Sequence, residues 1–299
     1  MPVENVAMSG FDRIMAGLAV RASCRAYSIG KLDPGMLEDP GCGSVGFTAA
    51  PEEIVGGPLD VDAVLVGTTA STVVVAFRGT LAPTLQPKTW DEFWEIVKDW
   101  LNDTNAILIG DGYPGKVHKG FAESLDNLWG RLLHAVQKHV AGGKPVLVTG
   151  HSKGGALATL AAIRLATAEI AKPLVFTFGS PRTGDSQFAA AYNQTVTMHW
   201  RIENQDDLVP HLPPSPFLIK ILAARDSRLK DLKSRGYSHV GTLEFYNWNG
   251  KFQEDNSGSF GLETERRLHL LALAPLGQVN ELWEDHFIQT GYLAHVQGG

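Results

Sequence analysis

Residues 144–149 (Lys-Pro-Val-Leu-Val-Thr) form a short apolar run, residues 154–170 are rich in Ala and Leu, and Gly150-His151-Ser152-Lys153-Gly154 stands between them. A strand that turns into a helix within so few residues belongs to a chain that lays helices against a sheet, because the helix must fold back over the strand it leaves. Glycines two residues to either side of Ser152 remove side chains that would clash in such a turn, and Gly155 adds room for the helix to approach the sheet. This is the setting of a nucleophile elbow, which presents a serine hydroxyl at the carboxyl end of a sheet. The bare Gly-x-Ser-x-Gly pattern is short enough to arise by chance, and a strand-to-helix turn with a capping serine is its plain structural alternative. The flanking strand and helix favour the elbow.

The same alternation runs through the chain. Residues 71–76 (Ser-Thr-Val-Val-Val-Ala) suit a strand buried on both faces, with residues 61–66 as its hairpin partner. Phe121, Leu125, Leu128, Leu132, Val136 and Val140 recur at helical spacing, and Gly142-Gly143 ends that helix. Residues 174–178 (Leu-Val-Phe-Thr-Phe) read as a buried strand, and Val196, Met198, Trp200 and Ile202 alternate as a further strand would. The pattern predicts an α/β fold with a mostly parallel central sheet flanked by helices. The last hundred residues are less regular.

With 299 residues, no internal repeat, 44% hydrophobic and 19% charged residues, one domain over residues 1–299 is expected. A net charge of -6 and the lack of a dense basic run argue against a nucleic-acid partner. No window approaches the roughly 18 to 20 continuous apolar residues that span a bilayer, so no transmembrane segment is expected. Asp12 and Arg13 precede only a short apolar stretch, residues 14–20, which is not the layout of a secretory signal. The reading is therefore a cytoplasmic chain, or a secreted one whose signal has been removed. Cys24 and Cys42 have no zinc-ligand spacing around them, and two free, partly buried thiols are favoured over a bridge.

A serine hydroxyl is a poor nucleophile near neutral pH and needs a histidine base, itself fixed in one tautomer by an acid. In α/β-hydrolases both follow the serine, the acid first. Asp206 and Asp207 follow the strand ending near Ile202, and one of them is the expected acid. His211, His239, His269, His286 and His295 lie beyond, and spacing alone does not choose among them. His286 is late enough to sit on a loop returning over the sheet.

Several segments together resemble the class 3 lipases, the fungal-type triacylglycerol lipase family with an α/β-hydrolase fold. They are Ala76-Phe77-Arg78-Gly79-Thr80, Val117-His118-Lys119-Gly120-Phe121, Val148-Thr149-Gly150-His151-Ser152, Thr177-Phe178-Gly179-Ser180-Pro181-Arg182, Asp207-Leu208-Val209-Pro210 and Tyr237-Ser238-His239-Val240-Gly241. They occur in the family's order and span residues from about 60 to 292. The resemblance implies Ser152 as nucleophile, Asp207 as acid, and His286, between Asp285 and the Tyr292 segment, as base. It also implies an oxyanion donor at Thr80, with the second at the backbone N–H of Lys153, and a structural part for His151 and His118. No metal or organic cofactor is implied.

Three features depart from that pattern. Residues 89–101 carry Trp90, Phe93, Trp94, Val97, Trp100 and Leu101 at helical spacing, so residues 81–98 are a candidate helical lid, with a core helix as the alternative. Residues 215–236 are a candidate second cap segment, whose Arg225, Arg228, Lys230, Lys233 and Arg235 read as a solvated face. Lys153 places a cation beside the nucleophile, a departure that bears on substrate range. The expectation is hydrolysis of acylglycerol-type lipid esters at an oil–water interface through an acyl-enzyme. A soluble-ester or feruloyl-type esterase, and a non-catalytic lipid-binding protein, are the alternatives.

Overall fold

The computed structural model describes residues 10–33, 36–80, 107–110, 112–213, 236–249, 251–254 and 285–298. The lid candidate at 81–98, residues 215–235 of the cap candidate, and His269 lie outside the described residues. In chain order the elements are α1 (Arg13–Arg25), β1 (Glu52–Gly56), β2 (Asp62–Thr68), β3 (Val73–Phe77), β4 (Leu108–Ile109), β5 (Val117–His118), α2 (Lys119–Val140), β6 (Val146–His151), α3 (Lys153–Thr167), β7 (Leu174–Phe178), β8 (Gly184–Asp185), α4 (Ser186–Thr195), β9 (His199–Asn204), β10 (Tyr237–Ser238), β11 (Thr242–Tyr246) and β12 (Phe252–Glu254). A π-helical turn (Ile288–Leu293) and α5 (Ala294–Gly298) follow.

The main sheet has eight strands in the order β1-β2-β3-β6-β7-β9-β11-β12. The run from β3 to β11 is parallel, while β1 and β2 at one edge and β12 at the other are antiparallel. The α/β-hydrolase reading holds, and the hairpin expected before residue 71 is the β2–β3 pair.

Period-two alternation in the strands divides the core into two layers. Val73, Val75 and Phe77 meet Leu125, Leu128, Leu132 and Val136 of α2 and the Ala/Leu face of α3. Val74 and Ala76 face the other way, onto Ala16, Ala19 and Val20 of α1, and Tyr292 and Leu293 lie in that same layer. α1 begins at Asp12, whose side chain accepts hydrogen bonds from the Ile14 and Met15 amides. Because both faces are covered, β3 reads as an unbroken hydrophobic run and β7 as one interrupted only by Thr177.

The thiol reading is corrected: Cys24 and Cys42 are bridged, with Cα atoms 5.5 Å apart. Each is 1% exposed within the α1 layer. Folding brings α1 and the segment near residue 42 to one side of the sheet, and a spacing of 18 residues gives no local sign of that. By closing a loop of that length, the bridge removes about 3 kcal/mol of chain entropy from the unfolded state.

Candidate active site

The elbow is built by close backbone contact. Ser152, between β6 and α3, has φ 57° and ψ −132°, a conformation unusual for a residue with a side chain. A Cβ on Gly150 would lie 2.2 Å from the Gly154 carbonyl oxygen, and one on Gly154 would lie 2.4 Å from the Phe77 carbonyl oxygen. Neither position accepts a side chain without moving β3 or α3. The turn is pinned to the next strand by the Ser152 amide, which donates to the Phe178 carbonyl at 2.9 Å. Although Ser152 stands at the N-cap of α3, its hydroxyl makes no cap hydrogen bond. The strain at Ser152 costs on the order of 1–3 kcal/mol. Ser152→Gly is therefore expected to be more stable than Ser152→Ala by about 1 kcal/mol or more, measured by urea unfolding. Equal midpoints for the two variants would show that the turn is unstrained.

The Ser152 hydroxyl instead meets His286, at 2.9 Å from Nε2. His286 Nδ1 lies 2.8 Å from Asp207 Oδ2. Because a carboxylate only accepts, Nδ1 carries the proton and Nε2 is left to accept from the serine. Asp207 is 0% exposed, and both its oxygens are engaged: Oδ1 accepts from the Val209 amide at 2.9 Å, and Oδ2 also accepts from the Tyr292 hydroxyl at 2.5 Å. Gly179, with φ 54°, leaves the space these groups occupy, since a Cβ there would sit 2.6 Å from Asp207 Oδ2 and 3.1 Å from His286 Cε1. His286 precedes the π-helical turn that carries Tyr292 to Asp207. The neighbouring Asp206 is turned elsewhere, accepting from Trp248 Nε1 at 2.8 Å.

Among the described residues, the other histidines singled out in the sequence are taken up in the framework. His151 Nε2 donates to the His286 carbonyl at 2.6 Å, so its Nδ1 accepts from the Tyr27 hydroxyl at 2.8 Å. This ties the residue before Ser152 to the main chain of His286, and Tyr27 is a contributor that sequence reading missed. His118 caps α2 by accepting from the Phe121 amide at 3.3 Å. His239 Nε2 donates to the Pro210 carbonyl at 2.6 Å, His211 is buried, and His295 Nδ1 donates to the Gly291 carbonyl. Among the described residues, no group of three or more His, Cys, Asp or Glu side chains is disposed to hold a metal ion.

Burial, aided by His286, holds His151 well below its ordinary pKa, and burial with Arg201, Arg182 and His211 nearby does the same to His239. His199, fixed between the Thr177 and Tyr192 hydroxyls, is lowered from 6.5 to about 3, by burial and then by Arg201. Below pH 6.5 the unfolded chain takes up a proton that folded His199 refuses until about pH 3. The stability tied to this group is thus complete above pH 6.5 and is lost as pH falls towards 3, by up to ~1.4 kcal/mol per pH unit. Wild-type protein is expected to lose more stability between pH 6 and 4 than His199→Gln does, in urea titrations at each pH. Parallel losses would show that His199 is not held neutral.

The two candidate oxyanion donors lie on adjoining segments. Gly79 approaches the elbow so closely that a Cβ there would be 2.8 Å from the His151 carbonyl oxygen and 2.1 Å from the Tyr27 hydroxyl. Thr80 follows at the exposed end of that segment. Lys153 opens α3, and its ammonium is held by Asp62, with Nζ donating to Oδ1 at 2.8 Å. That partner was not foreseen from the sequence.

Residues 74–217 match the family model for "Lipase (class 3)". Over 161 residues the chain is 32% identical to a lipase of Rhizomucor miehei, covering 50% of this chain and 40% of that one. Over 152 residues it is 38% identical to a lipase of Rhizopus oryzae, covering 49% and 36%. A secreted mono- and diacylglycerol lipase of Fusarium solani is 34% identical over 129 residues, covering 40% and 37%. The match thus spans about two-fifths of each relative's length. In fold, the chain is similar to the Rhizomucor miehei triacylglyceride lipase structure, with TM-score 0.61, 22% identity, and coverage of 93% of this chain and 94% of that one. The structure of a mutant MDLA from Penicillium cyclopium gives TM-score 0.64 at 19% identity, covering 94% and 96%. Through residues 74–217, just under half of its length, the chain is similar to the class 3, fungal-type lipase family.

Proposed function

We propose that this protein hydrolyses acylglycerol-type carboxylic esters through an acyl-enzyme on Ser152, with His286 as general base and Asp207 as the group that orients it. The observation that carries the reading is the hydrogen-bonded series from Ser152 Oγ through His286 to the buried Asp207 carboxylate. His286 Nε2 takes the hydroxyl proton as Oγ attacks the ester carbonyl, and the imidazolium formed is stabilised by Asp207. The negative oxygen of the tetrahedral intermediate receives hydrogen bonds from the backbone N–H groups of Lys153 and Thr80. The intermediate collapses, the alcohol leaves with the proton held on His286, and the acyl group remains on Oγ. Water then repeats the sequence and releases the acid. Every group that moves a proton belongs to the chain, so the scheme calls for no cofactor.

The substrate class is supported by the relatives, whose names include a mono- and diacylglycerol lipase and a triacylglyceride lipase. The test is a chain-length series of p-nitrophenyl esters and triglycerides, assayed above and below their solubility limits. The reading expects the rate to rise as long-chain substrate passes into droplets. A rate that saturates below the limit and favours short or aromatic acyl groups would make the protein a soluble-ester esterase instead.

A further inference from the structure

Lys153 stands at the first position of α3, where the free amide groups make a positive helix end and a cation is unfavourable. The structure compensates with a built partner. Asp62, the first residue of β2, is 2% exposed in its side chain and accepts from Lys153 Nζ at 2.8 Å on one oxygen. Its other oxygen accepts from Asn127 Nδ2 of α2 at 3.0 Å. Space for this group is kept by Gly56 and Gly57: a Cβ on Gly57 would lie 2.5 Å from Asp62 Oδ2, and one on Gly56 would lie 2.7 Å from the Asn127 carbonyl oxygen.

The same short segment holds the other donor strand. Arg78 Nη2 donates to the carbonyls of Asp60 at 2.7 Å and Val61 at 3.1 Å, and the Arg78 amide donates to the Ala63 carbonyl at 2.9 Å. Thr80 is two residues beyond Arg78. The N terminus of α3 packs on this strand end as well, since a Cβ on Gly154 would lie 2.9 Å from the Arg78 carbonyl carbon. Residues 60–62 are thus bonded to Arg78 on the Thr80 side and to Lys153 on the Ser152 side.

We propose that residues 60–62 form a brace that sets the spacing of the two oxyanion donors, and that Lys153 and Asp62 act as positioning residues through the ion pair between them. The inference rests on the reaction proposed above. An oxyanion hole works because its donors are already in place when charge develops, and displacement by about half an ångström loses much of that benefit. The peptide between Ser152 and Lys153 carries one donor and adjoins a serine in an unfavourable conformation, so it needs external bonds to hold its plane. A side chain tethered at Lys153 to a buried carboxylate supplies one directly at the residue whose N–H is used.

The experiment compares wild type with Lys153→Met, Lys153→Arg and Asp62→Asn, normalising kcat to the number of active sites titrated with a phosphonate ester. A boronic acid serves as probe of the tetrahedral geometry. Losing an oxyanion donor outright costs about a hundred- to a thousand-fold, so displacing one is expected to lower kcat per titrated site about ten-fold in Lys153→Met, with KM changed less than about two-fold. Boronate affinity should fall in parallel. Lys153→Arg, which can still reach Asp62, should recover most of both, and Asp62→Asn, which keeps an acceptor without its charge, should fall between. The proposal is overturned if Lys153→Met and Asp62→Asn lower the melting temperature yet keep wild-type kcat per site and boronate affinity. If wild type itself has no titratable serine and no esterase activity, the reaction fails and the brace falls with it; an active wild type with unaffected variants sinks the brace alone.

Discussion

Ser152→Ala is expected to lower kcat for ester hydrolysis by about ten-thousand- to a million-fold while the protein stays folded. The two halves of that expectation have separate causes. Oγ is the atom proposed to form the acyl bond, and it is the hydroxyl that meets Nε2 of a ring hydrogen-bonded to Asp207. Alanine keeps the backbone strain of the elbow and removes only a half-buried hydroxyl that makes no cap, so its effect on stability is expected within about 1 kcal/mol. His286→Ala should cost a similar factor. Because the serine and histidine act as one unit, the double variant should be no slower than either single variant by more than about ten-fold. Independent, multiplying losses would mean that the two residues do not serve the same step.

Asp207→Asn is expected to lower kcat by about a thousand- to ten-thousand-fold, the size of effect that follows when the orienting acid of such a triad becomes an amide. The cause is visible in the donors around Asp207. Its Oδ2 receives His286 Nδ1 and the Tyr292 hydroxyl, and its Oδ1 receives the Val209 amide. All three are donors, so an asparagine NH2 group meets one whichever way it is turned. With the NH2 at the Oδ2 position, His286 accepts at Nδ1 and must carry its proton on Nε2, where it can no longer receive the serine's. With the NH2 at the Oδ1 position, it opposes the Val209 amide and two buried donors face each other. The variant should therefore show lost activity together with reduced stability, measured by steady-state kinetics and urea unfolding on one preparation. Full activity in Asp207→Asn would leave Asp206 or another carboxylate as the partner of the histidine.

The features readable in the sequence are those whose causes are local. The elbow announces itself because Gly150, Gly154 and Gly155 are required by contacts within a few residues or with the neighbouring strand. Strands buried on both faces show as unbroken apolar runs, and α2 shows as a repeat along one face. What separates Asp207 from Asp206 is orientation, and two adjacent residues of one type differ in that only after folding. The choice came from the family's Asp-Leu-Val-Pro pattern. Likewise, spacing alone left five histidines open and the choice of His286 came from the family resemblance; its physical cause is the π-helical turn, which sets His286 and Tyr292 against Asp207, 79 and 85 residues away in the chain. The pairings missed outright are all distant in sequence: Cys24 with Cys42, Tyr27 with His151, and Lys153 with Asp62 across 91 residues. Reading the thiols as free failed for that reason, since no periodicity reports which segments a sheet will bring together. β11 and β12 were hidden differently, because β11 carries the buried Glu244 in mid-strand and interrupts the apolar signal.

Covalent labelling reads out whether Ser152 is the nucleophile. Protein treated with a fluorophosphonate is digested and the adduct located by mass spectrometry, with residual esterase activity followed on the same samples. One label per chain is expected, carried on Ser152, with activity lost in proportion to labelling and no label on Ser152→Ala or on unfolded wild type. Label on another residue, or esterase activity that survives complete modification of Ser152, would contradict that role for Ser152.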